Sequence, residues 1–154
     1  MYTNPKFFPA HDLRTQIPAG KTVGLCHGVF DLLHVGHIEH LKDAKSHCDI
    51  LVISLTADEF VNKGPDRPHF TLHHRAEVIS ALGFVDFVTF SDEPSAMTIL
   101  NAIKPDYYIK GIEYKEKVDI TGKIDGEREA VESHGGEILY LTNDNLFSSS
   151  SCLN

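Results

Sequence analysis

The chain has 154 residues, 42% hydrophobic and 23% charged, a composition that suits one globular unit burying its own core and excludes a disordered or collagen-like chain. With 14 Lys and Arg against 22 Asp and Glu the formal net charge is −8, which argues against nucleic acid or a membrane surface as partner and requires any phosphate site to be locally positive. Apolar runs such as Ile50 to Leu55 fall far short of the roughly 20 residues needed to cross a bilayer, the first 20 residues carry no signal-peptide apolar block, and three scattered cysteines, Cys26, Cys48 and Cys152, suit a reducing compartment. The expectation is a cytoplasmic protein with inert thiols.

Residues 1–20 carry Pro5, Pro9, Pro18 and Gly20 without a sustained period and read as an irregular N-terminal arm. From Lys21 to Asn154 a single domain is expected. Short apolar runs rich in β-branched residues, 21–26, 49–55, 84–90, 106–109 and 137–141, alternate with segments of helical period. Helices are predicted over 35–46, over 72–82 with a stop at Gly83, from about Pro94 to just before Pro105, and over 126–133 ahead of Gly135-Gly136. Strands apolar on both faces and joined by helical crossovers define an α/β, doubly wound, five-stranded parallel sheet, Rossmann-like, with helices on both faces. Ligands in that architecture sit beyond the carboxyl ends of the strands.

The stretch following the first strand, His27-Gly28-Val29-Phe30-Asp31-Leu32-Leu33-His34-Val35-Gly36-His37, is the richest in chemistry. Gly28 permits a tight turn, Phe30 and the leucine pair anchor it, and Gly36 removes a side chain where a ligand approaches. His34 and His37 bracket a helix start, whose free N–H groups and partial positive charge suit a polyphosphate. A metal reading also exists, because His34, His37 and His40 recur every third residue with His27 nearby, but no Cys or carboxylate completes a ligand set. His40 and His47 are expected on solvated helix positions.

G-V-F-D-L-L-H-V-G-H resembles the signature of the H-x-G-H nucleotidyltransferase superfamily, especially the glycerol-3-phosphate cytidylyltransferases and the nucleotidyltransferase domain of ADP-heptose synthesis enzymes. The resemblance covers about residues 21–151. It implies that His34 and His37 contact the nucleotide phosphates and stabilise the transition state, and that Gly28, Val29, Phe30, Asp31 and Gly36 surround the nucleotide. K-G-x-x-R-P at 63–68, followed by Arg75 on the next helix, is similar to the heptose-type loop. That similarity implies phosphate-binding roles for Lys63 and Arg75, with Arg67 a further phosphate contact; His69, His73 and His74 are left at the surface.

After the fourth strand, P-D-x-x-x-K-G-x-E-Y at 105–114 resembles the family's base-binding segment and implicates Lys110, Gly111 and Glu113. Of the lysines beyond, Lys123 is a candidate phosphate contact. The run 148–151, Ser148, Ser149 and Ser150 foremost, matches the serine-rich phosphate cradle that precedes the family's final helix. Asn143-Asp144-Asn145 replaces the arginine of glycerol-phosphate enzymes, favouring the heptose-like branch, and the chain stops at Asn154 where a final helix is expected to continue.

The resulting expectation is an enzyme that moves a nucleoside monophosphate from CTP or ATP onto the phosphate of a small polyol or sugar phosphate and releases pyrophosphate. Mg²⁺ would be held mainly by the triphosphate, with no protein metal site, and the family implies a homodimer. A nucleotide-binding module without catalysis and a metal-dependent hydrolase built on His27, His34, His37 and His40 are the alternatives.

Overall fold

A computed structural model describes residues 3–61, 64–111 and 123–142. Five parallel strands, β1 (Val23–Gly28), β2 (Ile50–Thr56), β3 (Phe87–Ser91), β4 (Tyr107–Gly111) and β5 (Glu137–Leu141), form one sheet in the order β3-β2-β1-β4-β5. Among the described residues five α-helices accompany them: α1 (Ala10–Gln16), α2 (Val35–Lys45), α3 (Leu72–Ser80), α4 (Met97–Ile103) and α5 (Lys123–Glu132). The predicted doubly wound parallel sheet is therefore present, and the strand order reverses between β1 and β4, the position where chain exits diverge and leave a crevice.

Alternation along each strand sorts the core into two layers. Cys26, Leu51, Ile53, Leu55, Val88 and Ile109 face α2 and α3, packing against Leu41, Ala44, Ala76 and Ile79. Their neighbours Leu25, Val52 and Tyr108 face the other way, toward Leu13, Ile99, Leu100, Ile103 and Val131. Sheets covered on both faces need strands that are apolar throughout, which is why these runs read continuously in the sequence.

Strand and helix ends shift by a few residues from expectation, and three departures matter. Residues 3–20 are not an irregular arm. Leu13 of α1 is fully buried with Phe8, Ala10 and Ile17 around it, Phe7 bridges Val88 in parallel, and Lys6 O accepts from Val88 N–H at 2.9 Å. Tertiary burial, not period, makes this seven-residue helix, since so short a segment is unstable alone. α4 starts at Met97 rather than near Pro94, with Glu127 Oε1 accepting from Ala96 N–H at its entry (3.3 Å). α5 begins earlier than predicted, and its buried Glu127 also accepts from the Tyr108 hydroxyl at 3.1 Å.

Candidate active site

Among the described residues, the side chains expected to act on phosphate lie at or after the carboxyl ends of β1, β2 and β4. At β1 the backbone turns at Gly28, where an added Cβ would stand 3.0 Å from the Phe30 ring. Phe30 itself has φ +50°, a left-handed conformation unusual for a bulky residue, and its ring meets the His37 ring edge-on at 6.1 Å. The turn thereby delivers His34 to the N-cap of α2.

His34 and His37 form a reciprocal cap. His34 Nδ1 accepts from Gly36 N–H at 3.0 Å, and His37 Nδ1 accepts from His34 N–H at 3.3 Å. The arrangement is a capping box in which imidazoles replace the usual hydroxyl and carboxylate. A ring that accepts at Nδ1 carries its proton on Nε2, so both histidines are set as Nε2–H donors. Their centroids are 4.1 Å apart. His34 Nε2 is buried and has no acceptor among the described residues, as expected of a donor reserved for a ligand.

Asp31 and Arg75 have internal duties. The Asp31 side chain is 1% exposed and accepts from His69 N–H at 2.6 Å, Phe70 N–H at 2.8 Å and Arg67 Nε–H at 3.1 Å. Burial alone raises its pKa, but those hydrogen bonds and the Arg67 charge outweigh it and hold the carboxyl below the usual aspartate value. Arg75, expected on phosphate, is 1% exposed. It donates to Phe70 O at 3.0 Å, Val29 O at 2.9 Å and Asp58 Oδ1 at 2.6 Å. In the structure the guanidinium ties the β1 turn to the loop before α3. Arg67 likewise faces Asp31. Together these bonds fasten 67–75 onto the turn that carries the histidine pair.

His27 is expected from the sequence only as a possible metal ligand, because its neighbours lie on another strand, 27 and 29 residues away. Its Nδ1 lies 3.0 Å from Ser54 Oγ and its Nε2 3.4 Å from Thr56 Oγ1. Burial, then the nearby Lys110 charge, lowers its pKa to about 4 against a smaller opposing effect of Glu93, so the ring is neutral. The four-histidine metal set is not assembled: His34 and His37 use Nδ1 on the backbone and His27 is engaged with hydroxyls. Lys110 reaches over the Tyr108 ring at 4.8 Å, and Gly111 ends β4, buried. His69, His73 and His74 are exposed, as expected. Cys26 and Cys48 both have pKa values raised by burial, Cys48 to about 11, and stay protonated. Lys63, Glu113, Ser148, Ser149 and Ser150 lie outside the described residues, as does the Lys123 side chain.

Known proteins give an independent comparison. A family model described as cytidylyltransferase-like matches residues 25–153. The chain belongs to the cytidylyltransferase-like family. Its enzyme class is accordingly that of the nucleotidyltransferases. It is 37% identical over 121 residues to the bifunctional protein HldE of Syntrophotalea carbinolica, which aligns over 77% of this chain and 24% of that protein. With HldE of Campylobacter fetus the identity is 42% over 101 residues, 64% of this chain and 22% of the relative. The chain thus spans about a quarter of the length of these relatives. Among solved structures, the lipopolysaccharide core biosynthesis protein from Thermoplasma volcanium superposes with a TM-score of 0.66 at 27% identity, over 83% of this chain and all of that one. Pantoate-beta-alanine ligase from Francisella tularensis shares the fold, with a TM-score of 0.64 at 16% identity over 96% of this chain and 72% of that one.

Proposed function

We propose that this domain transfers a nucleoside monophosphate from ATP or CTP to the phosphate of a small sugar or polyol phosphate, releasing pyrophosphate. The observation that carries the reading is the reciprocal cap of His34 and His37, which fixes two Nε2–H donors at a helix N-terminus beside the strand mouth. Such preorganised donors favour charge that develops on phosphoryl oxygens in the transition state.

A phosphate monoester has its second pKa near 6, by analogy with phosphoserine, and is largely dianionic at neutral pH. The acceptor therefore needs alignment more than deprotonation. Its oxygen attacks the α-phosphorus in line, the bond to the β-phosphate oxygen breaks, and pyrophosphate leaves with that electron pair. His34 and His37 donate to the α- and β-phosphate oxygens, while Lys63, Lys110 and the serine run contribute further phosphate contacts. Gly28, Val29, Phe30 and Gly36 shape the nucleotide pocket, with Gly111 and Glu113 near the base. Asp31 and Arg75 act on the nucleotide indirectly, by holding the β1 turn and the 67–70 segment in register.

Among the described residues no cluster of His, Cys, Asp and Glu is arranged as a metal site, and the donor set fits Mg²⁺ carried on the triphosphate oxygens, a hard cation that retains its waters. When bound it would neutralise phosphate charge. No helix among the described residues is long and apolar enough to cross a membrane. A cytoplasmic homodimer is part of the proposal, on the family resemblance alone.

The test is pyrophosphate release from ATP and from CTP against glycerol 3-phosphate, ribitol 5-phosphate and hexose and heptose 1-phosphates. One productive pair is expected and names both substrates. Absence of pyrophosphate across the grid overturns the reading.

A further inference from the structure

On the face of the sheet that packs against α1, α4 and α5, the rows of side chains change character toward the carboxyl end. Leu25, Val52 and Phe87 stand side by side across β1, β2 and β3 in an apolar row. Two residues further on, the same face carries His27, Ser54 and Thr89 in register, followed by Thr56 beside Ser91. Lys110, two residues beyond Tyr108, which pairs Leu25, extends the row onto β4.

This row is costly as a piece of core. Ser54 and Thr89 are 0% exposed, and Thr89 Oγ1 has no hydrogen-bond partner among the described residues. Valine would fill that space without a stranded hydroxyl, whose burial costs about 1–3 kcal/mol. Cohesion therefore does not account for the polarity. The row also has a direction: its inner members are closed off, whereas His27 is partly exposed and Thr56 is 7% exposed. Thr56 has one long bond, to His27 at 3.4 Å, and a hydroxyl offers one donor and two acceptor positions. Ser54 holds the far side of the His27 ring at 3.0 Å, so the imidazole is fixed in plane and Thr56 retains hydrogen-bonding capacity.

Location assigns the surface to one of two substrates. Both must meet at His34 and His37. The groups expected near the base, Gly111 and Glu113, follow β4 on one side of β1, whereas Ser54, Thr56 and Thr89 lie on β2 and β3 on the other, with His27 between the two sides. The phosphorylated acceptor approaches from the row's side.

We propose that Thr56 and His27, backed by the buried Ser54, form the surface that reads the hydroxyl groups of the acceptor, making this domain selective for polyhydroxylated phosphates over alkyl phosphates of the same length. The inference rests on the nucleotidyltransferase reading for its assignment to the acceptor, not for the existence of the surface.

The experiment compares wild type, Thr56→Val and Thr56→Ser, using pyrophosphate release with glycerol 3-phosphate and with propyl phosphate, which has the same carbon chain and no free hydroxyl. Ligand-observed NMR with both phosphates and with ATP runs in parallel. Thr56→Val, nearly isosteric, is expected to raise the KM for glycerol 3-phosphate about tenfold, the equivalent of one hydrogen bond, with the KM for nucleotide and the response to propyl phosphate unchanged. Thr56→Ser restores the wild-type preference. A rise in nucleotide KM instead, or an equal loss for both phosphates, overturns the proposal. If no pyrophosphate forms but glycerol 3-phosphate binds wild type and Thr56→Ser and not Thr56→Val, the surface stands and the transferase reading falls. Binding that is absent from wild type, or equal in all three proteins, overturns the surface.

Discussion

His37 Nδ1 accepts the main-chain N–H of His34 at 3.3 Å, so the second histidine of the pair caps the residue that presents the first. Structural and chemical roles are therefore superimposed on the same rings and can be separated. Asparagine is a favourable N-cap but cannot reproduce an Nε2–H at the end of an imidazole. His34→Asn is expected to melt within a few degrees of wild type while turnover falls about 100- to 1,000-fold, the usual consequence of removing one transition-state donor. His37→Ala should show the same kinetic loss together with about 1 kcal/mol of lost stability. Activity within threefold of wild type in either variant contradicts the assigned role.

The Asp31 carboxylate anchors the segment before α3 through two main-chain amides and Arg67. Asp31→Ala leaves those amides without their acceptor and should lower the unfolding free energy by about 2–4 kcal/mol, read from urea titration. Because the folded pKa lies below the ordinary aspartate value, the folded state binds fewer protons. The associated stability is complete above about pH 4 and disappears as pH falls through the lowered folded value. The variant loses that acid-side slope.

His27 behaves oppositely in range though not in sign. Its pKa is about 4 when folded against 6.5 in the free side chain, so the folded state again holds fewer protons between the two. Stability should be full above pH 6.5 and decline by on the order of 3 kcal/mol toward pH 4. His27→Asn is expected to flatten this interval in a series of denaturant titrations; an unchanged slope would place the titrating group elsewhere.

A tight approach of main chain occurs at Gly136, where an added Cβ would lie 2.5 Å from Pro105 O and 3.2 Å from Asp106 O. Backbone atoms there cannot move aside cheaply, and Gly136→Ala should cost about 2–3 kcal/mol. Gly83→Ala, where a Cβ meets nothing within 4 Å, provides the comparison and should melt at or above the wild-type temperature.

The sheet and the crossover helices were legible because burial on both faces writes uninterrupted apolar strands into the chain, and Leu41 or Ile79 recur at helical spacing. The histidine pair was legible because its partners are three residues apart. Arg75 was only half legible: residue type announces a cation, but its acceptors Val29 and Asp58 are 46 and 17 residues away, and only the fold discloses them. The same holds for Asp31 and the 67–70 segment. The Thr89, Ser54 and His27 row exists only once strand register is known, and α1 owes its formation to the groove it fills rather than to its own pattern.

Phe7 lies along the outer margin of β3 through its bridge to Val88, and Lys6 and Phe8 exchange main-chain hydrogen bonds with Val88 on either side of it. A bare strand margin is adhesive toward other polypeptides. Here residues 6–8 of the same chain blunt that margin, so replacing them with residues that cannot pair would trade a protected border for one that recruits stray strands.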